Sequence, residues 1–181
     1  MFLAKGKDRI VLAFPALGFV VKFPIIWLRR PIADTWSQIK TRRWKSLVYI
    51  YKKWAPECRY VISGMLLRGI VANQRERMIS KRARSEFPQP TFFSFFGLLN
   101  IQRYGAPCDG EYLDLWLQIR KITRESAYKN PHQFSIPSNY CLVNGKLHIL
   151  DYGGHGSAWV VLKYGKKIVD EFDPEFRCDP R

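Results

Sequence analysis

The sequence predicts an α+β protein. Three short apolar runs punctuated by turn residues open the chain, two stretches of helical spacing follow, and a second strand pair around Gly97 leads to one more helix. Asn144-Gly145 then sits between two apolar runs, a strong hairpin signal.

Met1–Ala4 and Arg9–Phe14 are β-branched or aromatic runs separated by Lys5-Gly6-Lys7-Asp8, a turn sequence. Pro15-Ala16-Leu17-Gly18 turns the chain into Phe19–Phe23, which predicts three antiparallel strands. Ile32–Trp54 reads as a helix, with Ile39, Trp44, Leu47, Val48 and Tyr51 at helical spacings and basic residues between them. A second helix is expected from Cys58 to about Arg84, stopped by Pro88 and Pro90. Thr91–Phe96 and Leu98–Tyr104 predict a strand pair. After a Gly105–Gly110 turn, Glu111–Ser126 predicts a helix facing the core with Leu113, Leu115, Trp116, Ile119 and Ile122. Tyr140–Val143 and Lys146–Leu150 form the Asn-Gly hairpin, and a last hairpin is expected from Ala158–Lys163 and Lys167–Phe172 around Tyr164-Gly165.

A length of 181 residues suits one domain or two small lobes. Hydrophobic residues at 47% and charged residues at 25% exclude a disordered or collagen-like chain. The excess of 30 Lys+Arg over 15 Asp+Glu gives +15, which draws polyanions: nucleic acid, anionic headgroups or polyphosphates. Cys58, Cys108, Cys141 and Cys178 form no C-x-x-C, which argues against a cysteine zinc site and for a reducing compartment. With no signal-peptide pattern at the N-terminus, the expected location is the cytoplasm, free or against the inner face of the membrane. Ile10–Leu28 is apolar enough to be weighed as a membrane segment. Pro15, Gly18 and Pro24 interrupt it and Lys22 charges it, so two buried strands explain the same letters better.

The most specific constellation is His132-Gln-Phe-Ser-Ile-Pro-Ser-Asn139, followed by the hairpin and then Asp151-Tyr-Gly153. It resembles the H-R-D-L-x-x-x-N, hairpin, D-F-G order of the protein-kinase-like fold, in a small and atypical version. That resemblance implies a strand-rich N-lobe over residues 1–104 with an inserted helix, and a reduced C-lobe over 105–181. It implies ATP and Mg²⁺ as cofactors, with Asn139 and Asp151 on the metal. Lys22, on the third strand, matches the lysine that contacts phosphates, and Lys5 and Gly6 occupy the place of the glycine-rich loop with one glycine instead of three. Glu76 would orient Lys22, with Glu86 as runner-up. The surroundings of Glu76 are similar to those in small sugar and lipopolysaccharide kinases; an anionic glycolipid is a further candidate partner, through Arg42, Arg43, Lys45, Lys52 and Lys53. Adenine would sit against the backbone of Gln102–Pro107.

The departures limit what the resemblance implies. His132 would be structural. The catalytic-loop aspartate falls at Phe134, which accepts no proton, so the chain is either a minimal kinase or a pseudokinase. An aspartate restored at Phe134 would then be expected to raise phosphoryl transfer. A different class of function is a non-enzymatic basic protein that binds nucleic acid or an anionic membrane surface through Arg42, Arg43, Lys45, Lys52 and Lys53. A metal site from His148, Asp151 and His155 is disfavoured, because His148 and Asp151 would point to opposite faces of a strand. Cys141 reads as a buried apolar residue rather than a nucleophile.

Overall fold

The computed structural model describes residues 1–6, 8–25, 36–45, 68–108, 112–129, 131–154 and 156–175. Lys7, Lys52, Lys53, His155, Cys58, Cys178, most of the expected Ile32–Trp54 helix and the beginning of the Cys58 helix lie outside them. The described chain is mixed α+β. Strands β1 (Phe2–Lys5), β2 (Arg9–Phe14), β3 (Phe19–Pro24), β4 (Thr91–Phe95) and β5 (Leu99–Arg103) form one antiparallel sheet in the order β1-β2-β3-β5-β4. Helix α1 (Arg68–Arg82) packs on this sheet between β3 and β4 in sequence.

The first turn fixes what the sheet presents. Gly18, in the left-handed region at φ +71°, closes the Pro15–Leu17 turn by donating its N–H to the Pro15 carbonyl. Phe14 therefore pairs with Phe19, Val11 with Lys22 and Arg9 with Pro24. Alternation along each strand puts Arg9 and Lys22 on the same face. As far as Ile25, then, the Ile10–Leu28 run is two strands and a turn, and no helix among the described residues is long and apolar enough to cross a membrane.

The core is drawn mostly from the second half of the chain, with Ile79 of α1 and Phe87 joining it. Leu115, Trp116, Ile119 and Ile122 of helix α2 (Tyr112–Ile122) pack with Phe134 of the short α3 (Pro131–Phe134), as the spacing predicted for α2. The hairpin of β6 (Tyr140–Val143) and β7 (Lys146–Ile149) adds Tyr140, Leu147 and Ile149. Main-chain bonds bracket this hairpin on both sides. Phe87 and Gln89 bond the Ile149 backbone, and the Cys108 N–H donates to the Tyr140 carbonyl at 2.8 Å.

Two expected elements differ. The last hairpin is a single helix, α4 (Ser157–Glu171). Its buried residues Val160, Val161, Gly165 and Ile168 recur at helical spacing, so the β-branched runs reflect a packed face rather than strands. Gly165 is there for close approach, not for a turn: a Cβ on it would lie 2.5 Å from Ser85 Oγ and 3.2 Å from Phe87 Cβ. Within the expected Ile32–Trp54 helix, residues 36–40 are helical, and Arg42 at φ +51° ends them. Arg43 N–H donates to the Gln38 carbonyl and Arg42 N–H to the Ile39 carbonyl, a Schellman closure of that turn. Ile39 and Trp44 are exposed instead of facing a core.

His148 of β7 is buried, with Nδ1 against the Glu86 carbonyl oxygen. Burial pushes its pKa below the ordinary 6.5, although the Glu86 carbonyl opposes this. The folded chain thus resists a proton that the unfolded chain takes up, and stability falls as pH drops through 6.5. Between pH 7.5 and 5.5 the wild type should lose up to about 1.4 kcal/mol more than His148→Gln, read from urea denaturation at both pH values. Equal losses would contradict this.

Candidate functional site

A cleft of about 490 Å³ opens between the sheet and the β6–β7 region. Its walls come from β1, β2 and their turn, β3, the first half of α1, the chain leaving β5 through Gln102–Gly105, and the segments carrying Gln133, Asn139, Leu150, Asp151 and Gly153.

Four charged side chains meet at its base. Lys22 Nζ lies 3.0 Å and 3.1 Å from the two carboxylate oxygens of Glu76 and donates to the Leu150 carbonyl at 2.7 Å. Arg9 Nη1 stands 2.7 Å from Glu76 Oε1, and Arg9 Nη2 donates to Asp151 Oδ1. Glu76 is fully buried, Arg9 and Lys22 nearly so, while the Asp151 side chain is 43% exposed. Burial pulls the Lys22 pKa below its ordinary value, and Glu76 works against that by favouring the ammonium. For Asp151, desolvation alone would raise the pKa, but Arg9 and Lys22 outweigh it and hold the carboxyl at about 2. For Arg9, desolvation opposes the charge, and the Asp151 and Glu76 carboxylates more than offset it.

Local structure positions each of these groups. The buried stripe of α1 is Gly69, Asn73, Glu76 and Ile79, a helical repeat whose members are mostly not apolar. Gly69 lets α1 approach Asp8 and Pro24, since a Cβ there would stand 2.4 Å from the Asp8 carbonyl oxygen. Gly153 does the same for the other wall: a Cβ would stand 2.4 Å from the Ala72 carbonyl oxygen, so only glycine brings the Asp151-Tyr152-Gly153 strand end against the helix. Tyr152, fully buried, donates its hydroxyl to the Gln89 carbonyl at 2.7 Å, and Gln102 Nε2 bridges the Gln89 and Leu150 carbonyls. Asn73 ties the cluster to the sheet, donating to the Gly97 carbonyl at 2.8 Å while its Oδ1 faces Arg9 at 3.4 Å.

The residues singled out from the sequence fall into two groups. Lys22, Glu76 and Asp151 converge, Asn139, Lys5 and Gly6 line the same cleft, and so do Gln102–Gly105 and Pro107. Gly6 donates its N–H to the Arg9 carbonyl at 2.8 Å, so that amide serves the turn rather than facing the cleft. Glu86 is exposed and pairs with Lys146 instead of Lys22. His132 lies in α3, and its side chain is outside the description. Phe134 is fully buried in the core and does not line the cleft; its neighbour Gln133 does, with Nε2 donating to the Asp151 carbonyl. An aspartate at Phe134 would therefore bury a carboxylate among apolar side chains at a cost of several kcal/mol, and it would not deliver a base.

Arg9, Asn73 and Gln133 were not anticipated as site residues. For Arg9 a signal existed: counting outward from the Pro15–Gly18 turn places it on the face that carries Lys22. Asn73 precedes Glu76 by three residues, one helical step on the same face. Gln133 carried no such signal.

No family model matches the sequence, and the comparisons with curated proteins and with solved structures give no match either.

For a divalent metal, Asp151 Oδ1 is paired with Arg9, while Asn139 Nδ2 donates to the Gln133 carbonyl at 2.9 Å, so the amide oxygen is the atom Asn139 could offer. Among the described residues no group of three or more His, Cys, Asp or Glu could hold a metal ion. Replacing Glu76 tests the cluster itself. Glu76→Gln leaves Arg9 and Lys22 buried together without their shared countercharge, which should cost roughly 3–5 kcal/mol in urea denaturation. A loss below about 1 kcal/mol would show that the pairing contributes little.

Proposed function

We propose that this chain is a kinase-like nucleotide-binding protein that holds ATP in the cleft without efficient phosphoryl transfer. The observation that carries the reading is the buried Lys22–Glu76 pair at 3.0 Å, set in a cleft beside Asp151 and Asn139. Lysine and glutamate come from a strand and a helix 54 residues apart, and the aspartate follows a hairpin much later in the chain. This is the arrangement that the resemblance leads one to expect. A carboxylate that orients a buried ammonium keeps it charged and aimed, ready for a phosphate oxygen. Residues Gln102–Gly105 and Pro107 line the same cleft and supply a wall for a base.

Transfer would need a proton acceptor beside the substrate hydroxyl. Among the described residues, the carboxylates that line the cleft are Asp8, paired with Arg68 at 3.0 Å, and Asp151, paired with Arg9. Gln133 fills the neighbouring position with an amide, which takes no proton. The function therefore rests on binding, in the manner of a pseudokinase.

A second reading draws on the surface. Arg42, Arg43 and Lys45 are exposed beside Trp36 and Trp44, which are 67% and 58% exposed. Cations interleaved with aromatic rings suit a polyanion or an anionic membrane face. Nothing in this face requires the cleft, and the two readings separate in solution.

ATP at about 100 times its dissociation constant should stabilise the protein by roughly 2.7 kcal/mol, a rise of about 5–10 °C in Tm. Lys22→Met should remain folded, because Arg9 still balances Glu76, and should bind ATP at least tenfold more weakly in calorimetric titration. No Tm shift with ATP in any buffer would remove the nucleotide reading and leave the basic face.

A further inference from the structure

Arg9 occupies the place where a nucleotide-binding cleft of this kind needs a cation. An aspartate facing a triphosphate repels it unless a positive charge lies between them. In this chain that charge is covalently part of β2. Arg9 pairs with both Asp151 and Glu76, and Asn73 Oδ1 accepts from the same Nη1 that faces Glu76. All of these contacts are made through the two Nη atoms of the guanidinium, and Arg9 itself lines the cleft.

The balance around Arg9 points the same way. Two carboxylates, Glu76 and Asp151, face two cations, Arg9 and Lys22, so the base of the cleft is neutral before any ligand arrives. Admitting a divalent ion to Asp151 would place it beside a fixed guanidinium. Moving Arg9 away would take from fully buried Glu76 one of the two cations that pair with it among the described residues, the other being Lys22. Lys5, Arg75 and Arg103 also line the cleft, as does Arg68, which pairs with Asp8 at 3.0 Å, so its described lining carries several cations that suit an anionic ligand.

Resting on the nucleotide reading above, we infer that the cleft takes the phosphates of its nucleotide free of divalent metal, with Arg9 bridging Asp151 to a phosphate oxygen where a metal ion would otherwise stand. A guanidinium suits the role because its planar donors meet carboxylate and phosphate oxygens alike, and it stays charged at every accessible pH.

Calorimetric titration of the full chain with ATP, once in excess EDTA and once in excess Mg²⁺, decides the matter. Dissociation constants within threefold of each other are expected. Binding at least tenfold tighter with Mg²⁺ would overturn the inference while leaving the nucleotide reading intact. Binding in neither buffer would overturn both. A folded Arg9→Met variant should lose at least tenfold in EDTA and recover part of that in Mg²⁺, since Asp151 is then released. Unchanged affinity of that variant in EDTA would overturn the role of Arg9. Should the variant fail to fold, the two wild-type titrations decide alone.

Discussion

Arg9, Lys22, Glu76 and Asp151 impose the main constraint on this chain, because buried charges are tolerated only when each has a partner. Desolvating an ion costs several kcal/mol, and removing one member of a buried pair leaves that cost uncompensated. The cluster joins β2, β3, α1 and the segment after β7 at a single point. Each of those elements must then be held to within a fraction of an ångström. Buried pairs of this kind are weak sources of net stability. Their persistence in a cleft is better explained by what they hold in place.

The neighbouring features serve that requirement. Gly69 and Gly153 remove side chains where α1 meets the strand ends, which sets the depth at which Glu76 and Asp151 sit. Tyr152 and Gln102 both bond the Gln89 carbonyl, locking the chain that carries Asp151 to the chain that leaves the sheet. Phe87 and Gln89 extend the same connection to β7. The apolar core of α2, α4 and the hairpin lies behind this layer, so packing there supports the cleft without entering it.

The strands were readable from sequence because turn chemistry declares them: Pro15–Gly18, Gly97 and Asn144-Gly145 each mark a reversal between apolar runs. Helix α4 was not, since Tyr164-Gly165 resembles a turn between two β-branched runs. Only the tertiary approach of Ser85 and Phe87 explains the glycine. Lys22, Glu76 and Asp151 were legible through spacing and order. Arg9 was hidden as an ordinary first residue of a strand, and its role depends on a partner 142 residues away. Phe134 was placed at the cleft by counting from His132, but the helical turn of α3 directs it into the core and presents Gln133 instead.

On this account the cluster is a phosphate-recognition device, and the most direct test is a crystal structure of the full chain with a non-hydrolysable ATP analogue. The account predicts the phosphates within hydrogen-bond reach of Lys22 Nζ and the Arg9 guanidinium, and the base against the Gln102–Gly105 backbone. An analogue bound outside the cleft, or one whose phosphates face solvent with Lys22 and Arg9 turned wholly to their carboxylates, would contradict it.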